Sequence, residues 1–141
     1  MITKKPENKP LYGSKNLLGV FLSNWRNGAV LPLIRGRLVD LACGDNRLVK
    51  HYGNGVGVDI ANYGNTDIVV ENFYHLPFAG GSVDTVSIIA SLNYFENPLR
   101  VLQDVHRVLK DDGQLLITMP QGWAMKIWHR FRERHARRYG F

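Results

Sequence analysis

The stretch richest in usable chemistry is Asp40-Leu-Ala-Cys-Gly-Asp-Asn46, which follows directly on the apolar pair Leu38-Val39. Small residues at Ala42, Cys43 and Gly44 let a main chain come close to a ligand, and a helix starting just after them offers free N–H groups to an anion. Asp59 stands nineteen positions after Asp40, at the end of a second apolar run. A carboxylate placed there can accept both hydroxyls of a ribose. The pair therefore suits a nucleoside-containing ligand; the alternative is a tight strand-to-helix turn in which Asp59 caps the next loop. Cys43 reads as a small buried filler rather than a nucleophile. His51, His75 and His106 lack the spacing of metal ligands, so no metal is expected, and His106 falls at a helix edge.

Alternating strand and helix patterns must position these residues. Residues 37–41 read as a buried strand, 46–52 as a short helix, 55–60 as a second strand and 68–71 as a short third. Residues 85–90 are almost wholly apolar, as a strand covered on both faces should be. The connection 72–84 has no strong helical pattern and reads mostly as loop. Residues 97–110 form a helix with Leu99, Leu102, Val105, His106 and Leu109 along one stripe. Asp111-Asp112-Gly113 reads as a turn, residues 114–119 as a fifth strand closed by Pro120, and 121–138 as a last helix. Upstream, Ser14 is a plausible N-cap for a helix carrying Leu17, Leu18, Phe21, Leu22 and Trp25. Gly28 is expected to interrupt that helix, with a short piece over 29–34 because Pro32 is tolerated only in a first turn. Strands joined by crossovers imply a parallel sheet with helices on both faces and a ligand at the strands' carboxyl ends.

Asp40-Leu-Ala-Cys-Gly-Asp-Asn46 resembles motif I of the class I S-adenosylmethionine-dependent methyltransferases, D-x-G-x-G-x-G, with Ala42 and Asn46 at two glycine positions. A nicotinamide-type G-x-G-x-x-G fits less well, since Ala42, Gly44 and Arg47 would occupy its glycines. Leu76-Pro-Phe78 with Ser82-Val-Asp84 resembles the family's L-P-F…S-F-D stretch, and residues 90–98 match its loop after strand four in length. Arg107-Val-Leu-Lys-Asp-Asp-Gly-Gln-Leu-Leu-Ile117 resembles R-V-L-K-P-G-G-x-L-x-I. The resemblance, of the methyltransferase type 11 kind, covers residues 38–120. It implies a Rossmann-like, doubly wound α/β sheet of order 3-2-1-4-5 that lacks the usual hairpin of strands six and seven. It also implies S-adenosylmethionine as cofactor, S-adenosylhomocysteine as product, and the carboxyl edge of strands one and two as the site. Residues Asp40, Ala42, Cys43, Gly44 and Asn46 would then surround the methionine part. Asp59 would take the ribose hydroxyls and Ile60 the adenine face. Asn72, followed by Phe73, would accept the adenine amino group. Ser91 would lie near the sulfonium, with Asn93 and Tyr94 toward the acceptor; Tyr94 and Phe95 suit packing at least as well.

The 141 residues suit one domain, taken as 14–141 after a flexible arm at 1–13. One cysteine excludes an internal disulfide, and no apolar run approaches the ~18 residues of a membrane span, so a cytoplasmic protein is expected. The net charge of +6 is uneven. Residues 1–37 hold seven Lys/Arg against Glu7, residues 38–125 five against ten Asp/Glu, and residues 126–141 six against Glu133. Basic ends admit an anionic partner, a membrane surface or nucleic acid, or simply a solvated face. An exposed strand-five edge admits a homodimer. Three functions stay open: an active methyltransferase of unidentified acceptor, a cofactor-binding module with reduced catalysis, and a regulatory or scaffolding module.

Overall fold

The chain builds its sheet from β1 (Leu38–Leu41), β2 (Gly55–Asp59), β3 (Ile68–Val69), β4 (Val83–Ile89) and β5 (Leu109–Thr118). The helices are α1 (Leu17–Val30), α2 (Arg47–Tyr52) and α3 (Pro98–Val108). The computed structural model describes residues 17–119. The expected arm, the Ser14 cap and the helix at 121–138 lie outside the described residues.

All pairings are parallel and the order in space is β3-β2-β1-β4-β5, as the sequence implies. Every residue of β1 is buried because the strand lies between β2 and β4 and is covered on both faces. The period-two alternation divides the core. Val39 and Leu41 join Val58, Val86 and Ile88 under Val101, Val105 and Val108 of α3. Leu38 points the other way, to Val30, Ile34, Leu48 and Val49. Across the site end of the sheet, Gly57, Asp40 and Ser87 stand in one row on β2, β1 and β4.

Asn97 caps α3, its Oδ1 accepting the Arg100 N–H at 3.1 Å, and Pro98 opens the first turn. The helix buries Val101, Asp104, Val105 and Val108; of the expected stripe Val105 is buried and Leu102 and Leu109 pack half-buried on the same core, whereas Leu99 is 66% exposed and His106 faces solvent. Beside these valines a carboxylate occupies a core-facing position. Asp104 Oδ2 accepts the Leu76 N–H at 2.6 Å, and Arg107 Nε donates to Asp104 Oδ1 at 2.6 Å. The Arg107 guanidinium also donates to the carbonyls of Phe78 (2.9 Å) and Leu76 (3.0 Å). The loop before β4 is thus pinned to α3 by charge-assisted bonds in place of secondary structure of its own.

Two further expectations are corrected. Helix α1 runs through Gly28 unbroken to Val30, and a 3-10 turn over Leu31–Leu33 takes up Pro32. One glycine costs a helix only about 1 kcal/mol, too little to end it. Strand β5 begins directly after α3, so the turn expected at 111–113 lies within it as a break in register. Val83 pairs with Leu109 but Thr85 with Gln114. The chain closes tightly there, since a Cβ on Gly113 would lie 2.9 Å from the Lys110 carbonyl.

Candidate functional site

Between β1 and α2 the backbone must reverse within a few residues, and it does so through left-handed conformations at Ala42 (φ 56°), Gly44 (φ 54°) and Asn46 (φ 62°). Glycine and asparagine adopt these readily, whereas alanine does so at a steric cost of about 1–2 kcal/mol. The turn is fixed by Cys43 N–H to the Val58 carbonyl (3.3 Å) and Asn46 N–H to the Cys43 carbonyl (2.9 Å). Among the described residues a Cβ on Gly44 would meet nothing within 4 Å, so they leave the loop open there.

Asp59 ends β2 and is 5% exposed. Its Oδ2 accepts the Gly44 N–H at 2.9 Å and its Oδ1 the Ile60 N–H at 2.7 Å. Each oxygen keeps a second acceptor position, so the carboxylate is aimed by the backbone without being used up. Asp40, also buried, receives the Ser87 hydroxyl on Oδ1 at 2.6 Å. Burial drives its pKa from 3.8 to about 7; the Ser87 hydrogen bond opposes the rise and the nearby Asp59 charge adds to it. Burial, then the charges of Asp40, Asp59 and Asp67, raises the Cys43 thiol far above its ordinary range. That thiol stays protonated and supplies no nucleophile.

Asn46 does more than tolerate a left-handed turn. Its Nδ2 donates to the Asn65 carbonyl (2.9 Å) and to Asp67 Oδ2 (2.7 Å), and the same Oδ2 accepts the Gly57 N–H at 2.8 Å. A Cβ on Gly57 would overlap the Asn46 side chain and come within 2.8 Å of Cys43 Sγ. The bare Gly57 is therefore the space into which Asn46 and Cys43 fit. Thr66 Oγ1 lies 3.3 Å from the carbonyls of both Gly44 and Ala61, which share its one hydroxyl proton. Residues 61–67 are so laced onto the turn after β1. Sequence reasoning missed Thr66, Asp67 and Ser87. Only Ser87 left a signal, a hydroxyl in the middle of an apolar strand.

The remaining candidates divide. Ile60 is 57% exposed at the end of β2. Asn72 is exposed, and its Oδ1 accepts the Tyr74 N–H at 2.9 Å. Phe73 lies in the core, its ring 5.0 Å from that of Phe95. Ser91, just after β4, is 9% exposed, and its Oγ has no partner among the described residues. Asn93 and Tyr94 are exposed in the 3-10 turn that follows. The structure thus joins Asp40, Ala42, Cys43, Gly44, Asn46 and Asp59 at one edge of the sheet, as two carboxylates around a tight turn.

Residues 39–117, more than half of the chain, match the methyltransferase domain family. The chain belongs to the class I S-adenosylmethionine-dependent methyltransferases. An uncharacterized protein of Methanocaldococcus jannaschii is 36% identical over 98 residues, which cover 63% of this chain and 39% of that protein. A Pyrococcus horikoshii crystal structure, 28% identical, is similar with a TM-score of 0.61 over 79% of this chain and 59% of that one. An S-adenosylmethionine-dependent methyltransferase of Thermotoga maritima, 22% identical, shares the fold with a TM-score of 0.59 over 65% and 48%. The chain thus spans less than two thirds of the length of each of these proteins. The cofactor of this methyltransferase family carries a ribose, a carboxylate and a cationic sulfur. The site fits it, with the space that the described residues leave before Gly44, spare acceptor positions on Asp59 and a Ser91 hydroxyl unpartnered among those residues.

Proposed function

We propose that this chain binds S-adenosylmethionine at the carboxyl edge of β1 and β2 and directs its methyl group to a nucleophilic acceptor. The observation that carries the reading is the Asp59 carboxylate, held at 2.9 Å by the Gly44 N–H, beside a turn that the described residues leave open. Asp59 would accept the ribose hydroxyls, Ile60 would pack on the adenine, and Asn72 would accept its amino group. The turn over Ala42, Cys43, Gly44 and Asn46 would surround the methionine part. Ionised Asp40, whose Oδ1 is oriented by Ser87, would face the ammonium. Ser91, Asn93 and Tyr94 would border the acceptor.

The bound cofactor supplies a methyl group already activated by positive sulfur. The protein's contribution is to hold two reactants in line and keep water away, an effect worth up to about 7–11 kcal/mol in favourable cases. No acid–base pair is assigned, since a good nucleophile needs none.

A second reading, a cofactor-binding module with little turnover, draws on Asn72, whose side-chain oxygen is engaged by the Tyr74 N–H. Titration calorimetry with S-adenosylmethionine tests the shared claim. Asp59→Ala is expected to weaken binding by about tenfold or more, as loss of charge-assisted hydrogen bonds implies. Equal affinity of the variant and the parent would refute the site. Formation of S-adenosylhomocysteine with a panel of acceptors separates the first reading from the second.

A further inference from the structure

Helix α1 is amphipathic in the wrong sense for a free surface helix. Leu17, Phe21 and Trp25 follow at four-residue steps, so they line one side, and they are 88%, 66% and 69% exposed. Leu22, 41% exposed, flanks them, and Leu33 beyond the helix is 56% exposed. The side turned to the protein carries Asn27 and Val30, both buried, with Ser23 and Arg26 half-buried. Of the eleven large apolar side chains exposed among the described residues, five fall within residues 17–33. Scattered apolar residues on a surface need no explanation, but an apolar strip on one helix marks a docking face.

Charge selects the occupant. Helix α1 contains no acidic residue, and residues 1–37 hold seven Lys/Arg against one Glu. Residues 126–141 hold six Lys/Arg against one Glu, so this chain's own end would bring like charge to the strip. A second copy meeting α1 with α1 would do the same. An anionic bilayer offers both complements, negative headgroups for the lysines and arginines and an apolar layer just beneath them for tryptophan, phenylalanine and leucine. Among the described residues no helix is long and apolar enough to cross a membrane, so contact would be at the surface.

We propose that the Leu17–Phe21–Trp25 face of α1 docks this protein on the surface of an anionic membrane. The claim does not depend on the cofactor reading, because these residues lie outside that site.

The test is flotation with phosphatidylcholine vesicles and with phosphatidylcholine–phosphatidylglycerol vesicles at about 7:3, at low and at high salt. A Trp123→Phe, Trp128→Phe variant leaves Trp25 as the sole tryptophan and reports its surroundings by fluorescence. Anionic vesicles are expected to bind the protein about tenfold or more better than neutral ones, to lose it at high salt, and to shift Trp25 emission to the blue. The Phe21→Ser, Trp25→Ser variant is expected to lose about tenfold in partitioning while its affinity for S-adenosylmethionine stays unchanged. Absence of binding to anionic vesicles overturns the proposal, as does binding that survives the double substitution or leaves Trp25 emission unmoved. Sedimentation showing a dimer that Phe21→Ser dissociates, with no vesicle binding, would assign the face to a second copy. Retention on nucleic acid without vesicle binding would likewise overturn it.

Discussion

Gly57→Ala is the substitution whose consequences reach furthest into the site. The new Cβ would overlap the Asn46 amide and lie 2.8 Å from Cys43 Sγ, so the Asn46 side chain must leave its place. Leaving forfeits its bond to the Asn65 carbonyl, worth about 1 kcal/mol, and its bond to the Asp67 carboxylate, worth about 1.5–3 kcal/mol. The variant is therefore expected to lose about 2.5–4 kcal/mol of stability. Asn46→Gly forfeits the same two bonds, and because asparagine adopts the left-handed conformation readily the exchange returns little, for a net loss of about 2.5–4 kcal/mol. Once Asn46 is glycine, the methyl group at position 57 has only Cys43 Sγ to displace. The double variant should cost little more than Asn46→Gly alone, so the coupling between the sites should approach the whole Gly57→Ala loss of about 2.5–4 kcal/mol. Urea denaturation of the parent, both single variants and the double variant closes the cycle. If the two losses add to within about 0.5 kcal/mol, the interlock between β2 and the turn after β1 does not exist.

Asp40 titrates at about 7 when folded against an ordinary 3.8, so the stability linked to its neutral form is complete below about pH 4 and is lost as pH rises through 7. Asp40→Asn should thus be more stable than the parent above pH 7, by up to about 4 kcal/mol, with the difference shrinking toward pH 4. A parent-minus-variant difference that stays flat from pH 5 to 8 in urea melts would refute this. Parental affinity for S-adenosylmethionine should fall below about pH 7, as Asp40 takes up its proton, while the weaker binding of Asp40→Asn stays level; calorimetry across pH reads both. Asp104→Ala strands the Leu76 N–H and leaves Arg107, which is part-exposed, only its bonds to the Phe78 and Leu76 carbonyls, and should cost about 2 kcal/mol in a denaturation assay. A cost under about 0.5 kcal/mol would mean the loop before β4 is held by its apolar residues alone.

The parallel strands and the turn after β1 were legible because both rest on local pattern, apolar runs at crossover spacing and small residues between a strand and a helix, whereas the strand order came from the family resemblance alone. What escaped was set by partners distant in sequence. The stripe of α3 was read only in part: Val105, Leu102 and Leu109 do face the core, but Asp104 is buried there by bonds to Leu76 and Arg107, which hydrophobic periodicity cannot register. Gly28 was misread because its small local penalty was set against the rest of a helix that reaches Val30. Asn46 was recognised as a backbone substitute for glycine, but its side-chain role needs Gly57 and Asp67, which reach it only through strand pairing and the loop that follows. The turn at 111–113 was visible in its residue types, and only its neighbours showed that β5 continues through it.

Ala42 and Ala90 both have left-handed backbones, and each is the first residue beyond one of two adjacent strands. A laboratory screen that rewards heat resistance alone would be drawn to glycine at both, since the steric relief of about 1–2 kcal/mol exceeds glycine's entropic cost of about 0.5–1 kcal/mol. The heat-hardened descendants would carry a looser rim at the strand ends where the proposed cofactor would be held. Thermal tolerance and grip would then be opposing selections acting on the same two codons.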